Sequence, residues 1–447
     1  MTRLPAAPPF ALRARLLSPM ADGRVLDEAD GLVEVDEAGR LARVGRWSDG
    51  EAPPSVLDLR PRVVMPGMID LHAHLPQIPN AGLGSGLDLL TWLDRYIYPL
   101  ERAYDRSVAE RQSPAAFRAF AAAGTTTVVG YAALWADSTD AAFAAAEAHG
   151  IRAVIGKVMM DRLSYDTEIE PSEILETSLR QSDELAARWH GSDGGRLQYA
   201  FTPRFAVSCS ADMLRESASL AAAHGAYWQS HLSEDAGEVT EVARLFPDAR
   251  DYLDVYDRAG ALGARTILAH ANHLSPREVD RLVEADARVA HCPASNLFLS
   301  SGMMPLGAFR AAGMTIGLGS DVAAGPELSM FSVMRAGAAT QRVLELIDRG
   351  HVSGGGLRPL DWLRVGTLDG ARALGLAHQI GSLEVGKEAD LIAVDPRITD
   401  PLPTDDPPSA AEEIASRLVF RPHPSMVRAA WVRGGLLAGP PGIDDIG

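Results

Sequence analysis

The sequence predicts an α/β architecture: a TIM (β/α)8 barrel over residues 63–382, beside a small β-sandwich domain built from both chain ends. Three observations predict it. Eight apolar, strand-like runs recur between residues 62 and 323, most of them followed by a helical stretch. Reactive side chains gather at the exits of those runs, which is where a closed barrel of parallel strands carries its chemistry. Residues 1–62 and 383–447 read as short strands with turns, and neither end alone is long enough to bury a core, so the two are expected to pair.

In order, the runs are RVVMPGMIDLHAH (62–74), TTTVVGYAAL (125–134), RAVIGKVMMD (152–161), LQYAFTPRFAV (197–207), AYWQSHLSE (226–234), TILAHANH (266–273), RVAHCPAS (288–295) and TIGLGSDVA (315–323). Helical punctuation lies between them. Ser113-Pro114 is expected to open a helix that Gly124 closes, and Ser275-Pro276-Arg277-Glu278 is a capping box with proline at the first helical position. Residues 396–424, with Asp405-Asp406-Pro407-Pro408, read as a surface loop followed by a short helix.

Composition narrows the function. The 447 residues carry 42 Lys plus Arg against 59 Asp plus Glu, a net charge of −17, with no basic run, so nucleic acid is not an expected partner. Two cysteines, Cys209 and Cys292, are too few for a disulfide framework and suit a reducing compartment. Arg3, Arg13 and Arg15 interrupt the apolar stretches near the start, and no window approaches the ~20 apolar residues of a spanning helix. The expectation is a soluble cytoplasmic protein without membrane contact.

The chemistry begins at His72-x-His74. In a strand, side chains two apart share a face, so both imidazoles can reach one cation at the strand's end. Taken alone, the pair reads equally well as two ordinary histidines near a loop. The later exits add Asp161, Arg204, His231 with Glu234, His270, His291 and Asp321, which converge only if the barrel closes. Three imidazoles and the Asp321 carboxylate make one mononuclear site; run four lacks a lysine to bridge a second ion, and Lys157 belongs to run three. A zinc ion lowers the pKa of bound water toward ~7, supplying a nucleophile for attack on a ring carbon. Glu234 could then protonate a ring nitrogen while Asp321 takes the proton of the water. GLGSG (82–86) lacks the lysine of a phosphate loop and the serine of a nucleophile elbow, so neither nucleotide triphosphates nor a serine hydrolase is indicated.

Together, PGMIDLHAH, QSHLSE (229–234), LAHANHLS (268–275), HCPASN (291–296), GLGSDVA (317–323) and the closing IGSLEVGKEADLIAVD resemble the amidohydrolase superfamily. HLPQ (74–77), LLTWLDRYIYPLE (89–101), GKVMMDR (156–162), TPRFAVSCS (202–210) and NLFLSSG (296–302) resemble, more narrowly, its guanine deaminases. The resemblance implies one Zn2+ per chain held by His72, His74, His231 and Asp321. Glu234 would be the proton shuttle, with Asp321 and His270 the other catalytic residues. Contacts to the base would come from Gln77, Arg204 and Phe205 together with His74, His231, Glu234 and Asp321. His273 and His291 would support the site from behind, Lys157 and Asp161 would stabilise, and Trp92 reads as core or as a pocket contact. The pattern departs at Ala132–Trp135, where many relatives carry a histidine. The implied reaction is hydrolytic deamination of guanine to xanthine and ammonia by a homodimer whose other partner is the small heterocyclic base. Rival expectations are deamination of a pterin, an oxidised purine or a triazine, and a catalytically silent scaffold of the same fold.

Overall fold

A computed structural model describes residues 4–51, 53–166, 169–348, 356–402 and 409–442. Eight parallel strands run around the barrel: Met68–His74, Thr125–Tyr131, Arg152–Gly156, Leu197–Pro203, Tyr227–Leu232, Thr266–His270, Arg288–His291 and Thr315–Leu318. Each pairs with the next in chain order. A short extension, Val158–Met159, continues strand three against strand four.

The ring closes between strands eight and one. The Asp321 amide donates to the His72 carbonyl at 2.7 Å, and the His74 amide to the Val322 carbonyl at 3.0 Å. Asp70, wholly buried, ties the same seam by accepting from the Ser320 amide (2.9 Å), the Ser320 hydroxyl (2.5 Å) and the His72 amide (3.1 Å). One apolar cluster takes Ile69, Leu71, Val129, Val154, Ala200, Tyr227, Ile267 and Ala290 from strands one to seven, and so fills the lumen with side chains.

Both chain ends meet in one seven-stranded sheet. Its order is Gly435–Leu436, Val427–Val432, Leu391–Val394, Leu57–Pro66, Phe10–Pro19, Val25–Val35, Leu41–Arg46. The C-terminal strands add on antiparallel to Leu57–Pro66, and the sheet encloses its own apolar cluster around Leu12, Val33, Leu59, Val64, Leu391 and Trp431. The run expected over 62–74 is therefore two strands. Residues up to Pro66 pair with Leu391–Val394, whereas Met68–His74 belongs to the barrel. Gly67 sits at the break, where a Cβ would meet the Thr126 hydroxyl at 2.0 Å.

Helix punctuation is mixed. Ser275 and Glu278 form the expected reciprocal cap of Pro276–Glu284. The helix expected to start at Ser113-Pro114 starts instead at Arg106, capped by Asp105, whose carboxylate accepts from the Val108 amide, and Pro114 lies within it. Asp105 is itself an acceptable cap before Arg106-Ser107, and it extends the helix a full two turns beyond the later Ser-Pro signal. Gly124 follows with φ +94°. Of the expected loop and helix after residue 396, Ala411–Phe420 is helical, and Asp405–Pro408 lie outside the described residues. No described helix is long and apolar enough to cross a membrane.

The two parts are joined by a buried ion cluster. Arg152, at the start of strand three, donates Nε to Asp390 at 2.9 Å and Nη2 to Glu388 at 2.5 Å, and Arg433 donates to Glu388 at 2.9 Å. Removing Arg152 leaves the buried Asp390 carboxylate without its guanidinium, although Glu388 keeps Arg433. Arg152→Met is therefore expected to destabilise the fold by about 3–5 kcal/mol, lowering the thermal midpoint, whereas Arg106→Ala, which breaks an exposed pair with Glu110, should change it little. Equal midpoints in a melting experiment would remove the cluster from the account.

Candidate active site

At the mouth of the barrel, strand one presents His72 and His74, strand five His231, and the turn after strand eight Asp321. All four are buried, and a ligand atom from each lies within 4.8 Å of the others. His72 Nε2 and His74 Nε2 stand 3.2 and 3.3 Å from Asp321 Oδ1, and His231 Nε2 is 3.3 Å from His74 Nε2. The His72 nitrogen has no hydrogen-bond partner among the described residues.

Protonation states follow from burial. Burial pushes the His72 imidazole down to about 4 and holds His231 well below its ordinary range, so both offer lone pairs. Burial opposes ionisation of Asp321, yet the facing His72 and His74 rings hold its carboxyl well below the usual carboxylate range. His231 Nδ1 donates to the Arg204 carbonyl at 2.6 Å, which turns its Nε2 lone pair toward the cluster. The second Asp321 oxygen accepts from the Ser295 hydroxyl at 2.5 Å. Three imidazoles and one carboxylate, with His231 and Asp321 oriented from behind, form a ligand set that fits zinc.

A second group overlaps the first. Glu234, past strand five, and His270, at the end of strand six, stand with Asp321: His270 Nε2 is 3.4 Å from Glu234 Oε2 and 3.8 Å from Asp321 Oδ2. His270 Nδ1 donates to Asn296 Oδ1 at 2.9 Å. Burial, reinforced by the nearby Asp321 charge, raises the Glu234 carboxyl well above its usual range, so it holds a proton where Asp321 does not.

Beside these groups opens a cavity of about 340 Å³. His74, His231, Glu234 and Asp321 line one side, and Gln77, Arg204, Phe205 and Trp92 line the rest, with Leu89, Leu93, Leu299 and Ala324. Trp92 is thus a core residue with a face on the cavity, its indole N–H donating to the Leu83 carbonyl at 2.9 Å.

The remaining sequence candidates lie apart from this cavity. His273 donates to the Ser301 carbonyl at 2.7 Å, and His291 is buried without a hydrogen-bond partner among the described residues. Asp161 accepts from the Ser210 amide and hydroxyl, which caps Ala211–His224. Lys157, pushed down to about 7 by burial, donates to Ser178 at 3.0 Å. At Ala132–Trp135, the Trp135 indole turns to the Arg102 carbonyl, away from the cavity. The adjacent Tyr131 packs its ring 4.7–5.0 Å from those of His72, His74 and His231. Sequence reasoning missed Tyr131, Ser295, Asn296 and Glu101; the last three stand in the quoted motifs HCPASN and LLTWLDRYIYPLE, so motif membership was their only signal.

The amidohydrolase family pattern matches residues 63–437. The chain belongs to the amidohydrolase family. It is 36% identical to the probable guanine deaminase of Deinococcus radiodurans over 92% of this chain and 93% of that one. Among solved structures, guanine deaminase from C. acetobutylicum with bound guanine in the active site superposes with a TM-score of 0.88 at 27% identity, covering 96% of this chain and 99% of that one. An adenosine deaminase from Xanthomonas campestris with bound zinc reaches 0.81 at 27% identity, covering 98% and 95%. Fold similarity therefore spans more than one ring substrate, and the choice among them falls to the cavity.

Losing one ligand of four leaves an incomplete shell. His72→Ala is expected to lose bound metal, while His273→Ala, whose ring is tied to Ser301, should retain it. Elemental analysis of the two purified variants decides this, and the reverse pattern would contradict the ligand set.

Proposed function

We propose that this chain hydrolyses guanine to xanthine and ammonia with one Zn2+ held by His72, His74, His231 and Asp321. The observation that carries the reading is the single cavity in which Glu234 and Asp321, beside the ligand set, face the same space as Gln77, Arg204 and Phe205. The guanine deaminase relatives support it. When bound, the ion supplies an activated water at neutral pH.

The protein's own groups do the rest. Phe205 offers an aromatic face for the base, Arg204 a cation for the ring carbonyl oxygen, and Gln77 a side-chain amide for the ring edge. Protonated Glu234 delivers its proton to the ring nitrogen beside the reacting carbon, so the ring can accept electrons. Asp321 takes a proton from the attacking water and passes it to the amine. A C–O bond forms, the C–N bond breaks, ammonia leaves, and the proton left on the new oxygen returns to Glu234 as the carbonyl forms. His270, fixed by Asn296 and aimed between Glu234 and Asp321, polarises near the reacting centre. A cytoplasmic location suits the two buried free cysteines.

An ammonia-release panel over guanine, adenine, cytosine, 8-oxoguanine, pterins and triazines tests the reading, with Glu234→Gln as its companion. Guanine is expected to be the preferred substrate. Glu234→Gln should keep its zinc and lose turnover by ~10²- to 10⁴-fold. A different preferred ring would overturn the substrate, and near-normal turnover in the metal-loaded variant would overturn the role of Glu234.

A further inference from the structure

Behind the cavity wall lies a carboxylate with no face on it. Glu101 is fully buried and is not among the cavity's lining residues, yet it meets two that are. Its Oε1 accepts from Gln77 Nε2 at 2.7 Å, and its Oε2 accepts from Arg204 Nη1 at 2.5 Å and from the Tyr165 hydroxyl at 2.8 Å. Burial opposes the charge, but the Arg204 guanidinium at this distance holds the Glu101 carboxyl below its usual range, so it accepts and does not donate.

That fixes the Gln77 amide. A terminal amide is free to present either its NH2 or its carbonyl, and the neighbours decide which. With an ionised carboxylate on one side, the NH2 must turn to Glu101. The amide oxygen then faces the other way, where the Ala323 N–H approaches it at 3.4 Å. Arg204 is oriented by the same carboxylate: Nη1 is committed to Glu101, its cation lies 5.3 Å from the Tyr98 ring, and the rest of the fork remains for the cavity.

We infer that Glu101 sets the donor–acceptor polarity with which the pocket reads its heterocycle, turning the Gln77 carbonyl and the Arg204 N–H groups toward the cavity and so selecting a lactam edge over an amidine edge. A lactam edge is a ring N–H beside a C=O: the first donates to Gln77 Oε1, the second accepts from Arg204. An amidine edge, a bare ring nitrogen beside an NH2, meets an acceptor where it needs a donor and a cation where it needs an acceptor. Mispaired polar groups in a buried site cost more than missing ones. Glu101 is thus a positioning residue that acts through Gln77 and Arg204. The inference rests on the reading above that the cavity holds a planar heterocyclic base.

Equilibrium binding separates this inference from the reaction. Hypoxanthine and adenine share the purine frame and differ only in this edge, so their dissociation constants, measured by calorimetry on the zinc-loaded protein, report polarity without turnover of guanine. Wild type is expected to bind hypoxanthine at least about tenfold more tightly than adenine. In Glu101→Gln the carboxamide no longer demands the Gln77 NH2, and the ratio should shrink by about tenfold with zinc content unchanged. Glu101→Asp keeps the charge opposite Arg204 but is one methylene too short to hold both partners. It should narrow the ratio in the same direction, and it decides the matter if Glu101→Gln does not fold. A wild-type protein without the hypoxanthine preference, or variants that melt earlier with an unmoved ratio, would overturn the inference and leave Glu101 to folding alone. Preference for hypoxanthine in a protein that releases no ammonia from guanine would overturn the guanine reading and leave this inference standing.

Discussion

Three imidazoles and a carboxylate sharing less than 5 Å of buried space impose the constraint on which the rest of the site depends. Lone pairs that face one another across such a gap, without protons between them, repel unless a cation sits among them. Burial keeps His72 and His231 neutral, and the facing His72 and His74 rings in turn keep Asp321 ionised. The surrounding hydrogen bonds preserve that arrangement. His231 is turned by the Arg204 carbonyl and Asp321 by Ser295, and Asp70 with Ser320 locks strands one and eight together beneath the pair of histidines.

Arg204 connects the ligand set to the specificity pocket. Its carbonyl orients His231, and its guanidinium, held by Glu101, lines the cavity. The turn after strand four therefore couples two functions through one residue's backbone and side chain. Glu234 and Asp321 show the same economy on the reacting side. Both are buried carboxyl groups near one ligand set, and their neighbours drive their proton affinities in opposite directions. That separation lets one group start as the acid and the other as the base.

Much of this was legible in the sequence because it depends on period and position. His72 and His74 lie two apart on a strand, and a closed parallel barrel brings every strand exit to one mouth, so His231, His270 and Asp321 could be placed together before any coordinates. What pattern alone missed depends on contacts between distant segments. Glu101 looks like any helical glutamate until Gln77, Arg204 and Tyr165 close around it from three other segments. The Pro66-Gly67 boundary was hidden because residues on both sides are equally apolar, and only the pairing partner, Leu391–Val394 or strand two, tells the two strands apart. Asp105 outcompeted Ser113 as a helix start because local capping signals do not say how far a helix extends. His273 and Lys157 show the converse: chemically suggestive residues that the fold turns toward Ser301 and Ser178.

The central claim is that this one ligand set holds a single ion, and anomalous scattering from crystals of the zinc-loaded protein, measured on either side of the zinc edge, tests it most directly. The account predicts one peak per chain, within about 2.0–2.2 Å of the nitrogens of His72, His74 and His231 and an oxygen of Asp321. Two peaks at the barrel mouth, or one peak held by a different set of residues, would contradict it.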